Sequence, residues 1–501
     1  VLSGILLAAS FPPSDLSYAA WASLIPLLHA VQAEKPLYSF WQGMACGMVF
    51  YLASVYWVIN TMYSYGGLNI GVSILLLVAL SAYLALYVGI FALFMNRASM
   101  RRIPFTISAP FVWVALELAR NYMLSGFPWN LLGYSQHAVL KIIQVSDITG
   151  VYGVSFAVVL VNAAAADLLA MLPDKKIAWP RAAGIASAVV IIIGVSLYGG
   201  YRLNHPPVSK GTIKAALIQG NIDQSQKWDP AFRDKVFGAY TRLTLEAARQ
   251  KPDIVIWPET ATPFVFQDDE MRPRLFETAK LSGAYLLTGS PSIEQKDDQG
   301  YLEFNSAYLI SPKGNPVGRY DKMHLVPFGE YVPAKTLLPF VSKMVTAIGD
   351  FGGGKEATVM EAGNFKFGTA ICFEVIFPEL VRKFADNGAD FLTSVTNDAW
   401  FGRSSAPAQH FNMAVFRAVE NRRALVRAAN TGITGLILPT GEVGATTGIF
   451  KETMLTVDVP LVSEKTFYTR HGDLFAYFCA AVSLLIFGYL VIYRRRKNDS
   501  A

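Results

Sequence analysis

The chain has 501 residues, of which 53% are hydrophobic and only 16% charged, and its mean hydropathy of +0.34 excludes an ordinary soluble globular protein. Its formal net charge of +6 sits largely in short basic connections beside apolar runs, so it is not read as a nucleic-acid-binding surface. Three cysteines, Cys46, Cys372 and Cys479, exclude a disulfide framework.

Apolar stretches fall at roughly 1–10, 18–32, 40–61, 69–95, 105–123, 151–172 and 182–200, with one more at 474–493. Most approach the roughly 20 residues that a helix needs to cross a bilayer, so about eight spans are expected, the first two short. The first stretch carries no basic leader, and a cleaved signal peptide is not expected. The connections holding Lys35, then Arg97, Arg101 and Arg102, then Lys175, Lys176 and Arg181 are basic, as is the tail "YRRRKNDS", whereas "FPPSDLSY" and "MYSYGGL" carry no Lys or Arg. Positive residues stay in the cytoplasm. With eight spans this puts both termini in the cytoplasm and the long segment between spans seven and eight outside it, on the periplasmic face of an inner membrane. The expected organisation is a membrane domain over 1–205, a water-facing domain over 210–462, a last span over 473–494 and a cytoplasmic tail over 495–501.

Within the outer domain, "IKAALIQGN" (213–221), "DIVIWPE" (253–259), "AYLLTGS" (284–290), "SAYLIS" (306–311), "FGTAICFE" (367–374), "DFLTSVTND" (390–398) and "TGLILPTG" (434–441) read as buried strands. Helical patterns fall between several of them, at about 230–249, 270–282, 376–387 and 407–422. That alternation implies a layered α/β domain, in which reactive residues gather where strands end. Glu259, Lys322 and Cys372 all stand at such places. A thiol becomes a nucleophile when a base takes its proton, and a nearby cation both lowers its pKa and stabilises an oxyanion. Glutamate can be that base and lysine that cation. Cys46 and Cys479 lie inside apolar runs, where a small inert thiol is the reading.

The blocks "WPET", "YDKMHLVPFGEYVP", "GTAICFEVIFPE" and "SVTNDAWFG", in this order, resemble the signatures of the nitrilase, or carbon-nitrogen hydrolase, superfamily. The apolar flanks, with "SGFPWNLLGYSQ" (125–136) and "GNIDQSQKWD" (220–229), narrow the resemblance to the membrane-bound apolipoprotein N-acyltransferases. The resemblance implies an αββα sandwich on a polytopic helical membrane domain, with Glu259 as general base, Lys322 as oxyanion partner and Cys372 as nucleophile. It matches Glu330 to a second essential glutamate, which either exchanges protons or orients Lys322, and Glu374 and Trp228 to further active-site positions. Trp228 alone reads equally as a packing residue. Some relatives carry Tyr after the cysteine; Phe373 supplies no hydroxyl.

The resemblance further implies a membrane phospholipid as acyl donor, a thioester on Cys372, and the α-amine of the N-terminal diacylglyceryl-cysteine of an apolipoprotein as acceptor, with no cofactor. The alternatives are a membrane-tethered amidase passing the acyl group to water, and a transporter or scaffold with an inert outer domain. His324 and His410 have no HExxH or cysteine-rich spacing around them, and no metal site is expected. "GDFGGGKE" (349–356) fits the start of a phosphate-binding loop, but Glu356 stands where Ser or Thr would hold Mg²⁺, and a mobile glycine-rich lid is the expectation. Glu117 and Arg120, in the fifth apolar stretch, read as a self-neutralising pair that fixes helix packing or meets a headgroup.

Overall fold

The computed structural model describes residues 1–32, 34–172, 178–268, 270–295, 300–331 and 351–498. Lys175 and Lys176, residues 349–350 of the glycine-rich stretch and the last three residues of the tail lie outside them. The chain forms two compact units: Val1–Ile59 with Asn69–His205 and His471–Ala501, and Asn60–Leu68 with Pro206–Arg470.

The first unit is helical. Among the described residues four helices are long and apolar enough to cross a bilayer, Ile70–Met100, Val151–Met171, Trp179–Asn204 and Leu474–Ile492, and a fifth crossing arises if Pro36–Ser54 and Val58–Tyr65, bent by 59°, count as one. The first two apolar stretches fold instead as short helices, Leu2–Ala9, Ser17–Ala22 and Ile25–Ala30. Small residues set the tightest packing. A Cβ on Gly43 would lie 2.5 Å from the Val88 carbonyl, and one on Gly47 2.7 Å from Ala85 Cα, so Pro36–Ser54 and Ile70–Met100 approach backbone to backbone. Phe105–Tyr122 starts under a buried acid: Asp167 accepts from the backbone N–H groups of Phe105 and Thr106, at 3.2 and 3.0 Å. Glu117 and Arg120, both buried, are no ion pair with each other among the described residues. Glu117 accepts from Trp113 Nε1 at 2.9 Å and the Leu132 N–H at 2.7 Å, while Arg120 donates to the Tyr51 hydroxyl. Each side chain ties its helix to a neighbouring segment.

The second unit is a sandwich. One sheet runs β12-β1-β2-β3-β4-β5 and the other β11-β10-β9-β8-β7-β6. The strands are β1 Thr212–Gln219, β2 Ile254–Ile256, β3 Tyr285–Gln295, β4 Tyr301–Ile310, β5 Pro316–Asp321, β6 Val359–Ala362, β7 Phe365–Ile371, β8 Phe391–Thr396, β9 Leu425–Ala429, β10 Gly435–Ile437, β11 Val443–Thr446 and β12 Thr453–Pro460. In each sheet three strands are parallel, β1-β2-β3 and β7-β8-β9, and an antiparallel pair follows. The halves therefore repeat one topology, and each lends its last strand to the other: β6 extends the second sheet at β7, and β12 extends the first at β1. Arg233–Ala248 packs on β1 and β12, Pro378–Asp386 on β7 and β8, and Ala406–Asn421 on β9 and β10, while β1 faces β9 and β4 faces β7. The layers are helix, sheet, sheet, helix. The core under Arg233–Ala248 gathers Phe237, Tyr240, Trp257, Phe264 and Leu275. β5, β6, β9, β11 and β12 are strands beyond those expected from sequence.

Candidate active site

Glu259 follows β2, a strand with all three side chains buried, as a central parallel strand requires. The Trp257 indole donates to Thr244 Oγ1 at 2.8 Å and stacks on Tyr240, which fixes the turn. The chain then passes so close to β3 that a Cβ on Gly289 would lie 2.4 Å from the Thr260 nitrogen; only glycine fits. Glu259 Oε1 accepts from Asn305 Nδ2 at 2.8 Å and lies 3.4 Å from Lys322 Nζ, and Oε2 accepts from the Asn397 N–H, just past β8, at 2.9 Å. The carboxylate thus bridges the two sheets. Burial alone would push it up, but Lys322, Lys227 and the bonds from Asn305 and Asn397 outweigh burial and hold it below the usual carboxylate range.

Lys322 follows β5. Its backbone N–H donates to the Asn305 carbonyl at 2.9 Å, and its Nζ lies 2.9 Å from Glu330 Oε1. Burial favours the neutral amine, yet Glu330 and then Glu259 raise its pKa above the ordinary lysine value, so it stays a cation. Glu330 also accepts from Asn305 Nδ2 and from the Val326 N–H, each at 2.8 Å. The described part of the glycine-rich stretch straps this region. Gly352 donates to the Glu303 carbonyl at 2.6 Å and Gly354 to the Lys322 carbonyl at 2.8 Å, and a Cβ on Gly354 would stand 2.1 Å from the Asp321 carbonyl.

β7 stops at Ile371 because Cys372 turns left-handed, with φ +52°, a conformation costing a non-glycine residue on the order of 1–3 kcal/mol. Glu374 holds the turn. Its carboxylate accepts from the N–H groups of Ile371 at 2.7 Å, Met323 at 2.7 Å and His324 at 3.1 Å, and from the Tyr320 hydroxyl at 2.8 Å. It therefore ties the cysteine turn to the residues just past Lys322. Burial pushes its carboxyl up to about 7 against the pull of these donors. The buried Cys372 thiol is raised above its ordinary value by burial and then by Glu259, with Lys322 pulling the other way. Such a thiol is protonated at rest and needs a base. The Phe373 ring packs edge-on against Phe377, centroids 5.2 Å apart.

Glu259, Lys322 and Glu330 thus touch, Cys372 is electrostatically coupled to the first two, and Glu374 supports from behind. Trp228 stands apart, 50% exposed. Its neighbour Lys227 turns inward, with Nζ 3.3 Å from the Glu259 carbonyl and bonded to Thr260 Oγ1. Burial brings this amine down to about 8, while Glu259 and Cys372 act to raise it. Sequence reasoning missed Lys227, Asn305 and Asn397. For Asn305 a signal was present: an amide inside the apolar run "FNSAYLI" must find partners in the interior.

Two stacked sheets, with a glutamate, a lysine and a buried strained cysteine at the ends of β2, β5 and β7, define an enzyme of the carbon-nitrogen hydrolase class, and the family model described as "Carbon-nitrogen hydrolase" matches residues 214–469. That described as "Apolipoprotein N-acyltransferase N-terminal domain" matches residues 3–164. The chain is 43% identical to the apolipoprotein N-acyltransferase of Geobacter metallireducens, across 97% of this chain and 93% of that one. It is 33% identical to that of Chlorobaculum tepidum (96% and 94% covered) and 32% to that of Haemophilus influenzae (99% and 95% covered). The chain belongs to the apolipoprotein N-acyltransferase family. It is an N-acyltransferase with apolar helices that fit a membrane protein, and acyl transfer stands over the amidase alternative.

Proposed function

We propose that the enzyme moves an acyl chain from a membrane phospholipid to Cys372 and then to the α-amino group of the N-terminal diacylglyceryl-cysteine of an apolipoprotein. The observation that carries this reading is Glu259 Oε1 standing 3.4 Å from Lys322 Nζ in the interior, with Cys372 held left-handed at the end of β7. Glu259 takes the Cys372 proton as Sγ attacks the ester carbonyl carbon, and Lys322 stabilises the oxyanion. The carbon–oxygen bond breaks, the lysophospholipid leaves with the proton returned from Glu259, and a thioester remains. The acceptor amine then attacks the thioester, its proton passes by way of Glu259 to the departing thiolate, and an amide forms. Glu330 keeps Lys322 in place, and Glu374 keeps the two loops in register.

The membrane helices support a lipid donor, because each CH₂ drawn from the bilayer costs about 0.8 kcal/mol. In this reading the chain crosses an inner membrane about eight times, the catalytic domain over 210–462 is periplasmic, and Trp228 lines the substrate path. The test is mass spectrometry of the protein incubated with phospholipid. A hydroxylamine-sensitive acyl adduct is expected on Cys372 and on no other residue; an unmodified Cys372 with free fatty acid accumulating would return the reading to hydrolysis.

A further inference from the structure

The carbonyl oxygen of Cys372 lies 3.2 Å from His410 Nε2. His410 Nδ1 lies 2.8 Å from Arg427 Nη2, which in turn reaches the two carboxylate oxygens of Asp398 at 2.9 and 3.1 Å. All three side chains are fully buried. The chemistry fixes the protons. A carbonyl only accepts and a guanidinium only donates, so a neutral ring carries its hydrogen on Nε2 and offers the Nδ1 lone pair to Arg427. Nδ1 and Asp398 Oδ1, 3.2 Å apart, are then two acceptors that share one guanidinium. Burial and Arg427 both push His410 down, which keeps the ring neutral. Burial would push Asp398 up, but the Arg427 guanidinium outweighs burial and holds it below the usual carboxylate range, so the trio carries one charge of each sign.

Three elements build this trio: Asp398 begins the turn Asp398–Phe401, His410 rides on Ala406–Asn421, and Arg427 lies on β9. Thr396 Oγ1 donates to Asp398 at 2.9 Å and Arg427 Nη1 to Ser394 Oγ at 3.2 Å. A Cβ on Gly432 would lie 2.1 Å from Asp398 Oδ2, so the glycine leaves the carboxylate its place. The Cys372–Phe373 peptide is one rigid plane, and gripping its carbonyl sets how the cysteine backbone leaves β7. A left-handed cysteine persists only where its surroundings over-determine it.

We propose that Asp398, Arg427 and His410 form a backbone clamp on the nucleophile, in which Asp398 orients Arg427, Arg427 fixes the His410 tautomer, and His410 holds the Cys372 carbonyl so that the thiol stays aimed at the acyl carbon. They are positioning residues, and none touches the reacting atoms. The inference rests on the reading of Cys372 as the acylated nucleophile.

Single-turnover acylation of Cys372 by a fluorescent phospholipid, in the full-length protein between about pH 6 and 9.5, tests it. His410→Ala should slow acylation on the order of 10²-fold at every pH, with the half-saturating donor concentration unchanged, while His410→Gln, whose amide N–H still reaches the carbonyl, recovers to within about tenfold of the wild type. Gly432→Ala, which displaces Asp398 without removing a charge, should slow acylation as well. Wild-type acylation in His410→Ala, a loss seen only in half-saturation, or a profile displaced along the pH axis overturns the clamp. If His410→Ala does not fold, Gly432→Ala decides: slowed acylation supports the clamp and wild-type acylation overturns it. If the wild type itself forms no thioester, the acyl-transfer reading fails separately. The clamp then stands or falls on the rate of Cys372 alkylation by iodoacetamide: a changed rate in His410→Ala supports it and an equal rate overturns it.

Discussion

Lys322 Nζ lies closer to Glu330, at 2.9 Å, than to Glu259, at 3.4 Å. The nearer counter-ion of Lys322 is therefore Glu330, and in the proposed mechanism this leaves Glu259 to handle the proton. Glu330→Gln leaves a buried ammonium with one partner fewer, a change that costs a few kcal/mol when a buried pair is broken. A lowered thermal midpoint is expected together with slower acylation, since Lys322 would move towards Glu259. Unchanged stability and rate would remove Glu330 from the site.

Glu259→Gln and Lys322→Met should fail in different ways. The glutamine variant acylates slowly, and because the Glu259 charge also raises the thiol pKa, its loss lets thiolate form at lower pH, so the rate recovers in part as pH rises. The methionine variant stays slow throughout, by the 10²- to 10³-fold order typical of a lost oxyanion donor. Single-turnover acylation from about pH 6 to 9.5 reads the contrast. Two identical flat profiles would transfer the base role away from Glu259.

Lys227 gives stability a pH dependence whose sign is fixed. Its amine is brought from 10.5 down to about 8 in the fold, so between those values the unfolded chain binds the proton that the folded one has released, and stability rises with pH. Below about pH 8 both states are charged and this gain is absent. The difference in thermal midpoint between wild type and Lys227→Met should shift in favour of the wild type across pH 8 to 10.5. A difference independent of pH would mean that Lys227 keeps an ordinary pKa.

Asn305→Ala removes the donor shared by Glu259 and Glu330. About 1–3 kcal/mol of stability should be lost with a buried polar group left short of a partner, and the Glu259 carboxyl should rise. The acid limb of the acylation profile would then move to higher pH. An unmoved limb would show that Asn305 only packs.

Topology has its own test. Glu277 is exposed in the second unit and Met100 is exposed at the end of its helix, while the three native cysteines are buried. An impermeant thiol reagent added to spheroplasts should label Glu277→Cys, and should reach Met100→Cys only after the membrane is broken. The reverse pattern would turn the catalytic domain to the cytoplasm.

Composition and pattern alone disclose which segments are strongly apolar, the strand and helix alternation of the second unit, and the strands that end at Glu259 and Cys372; β5, the strand before Lys322, is not among those they disclose. The features disclosed are local facts, written in composition and in the periods of single elements. Composition and pattern could not show that the first apolar stretches break into helices of six to eight residues, nor that the final strands of the two halves change sheets, because strand partnership is decided by contacts far apart in the chain. Lys227 and Trp228 make the point at adjacent positions. The more apolar residue looks like the one that should turn inward, yet Lys227 is 2% exposed and Trp228 50%. Only the folded site supplies the Glu259 carbonyl and the Thr260 hydroxyl that compensate a buried amine. The same holds for Asn305, His410, Arg427 and Asp398. Each finds its partners only because strands from both sheets and a covering helix bring them to one point in a dry interior, where every polar group must be matched.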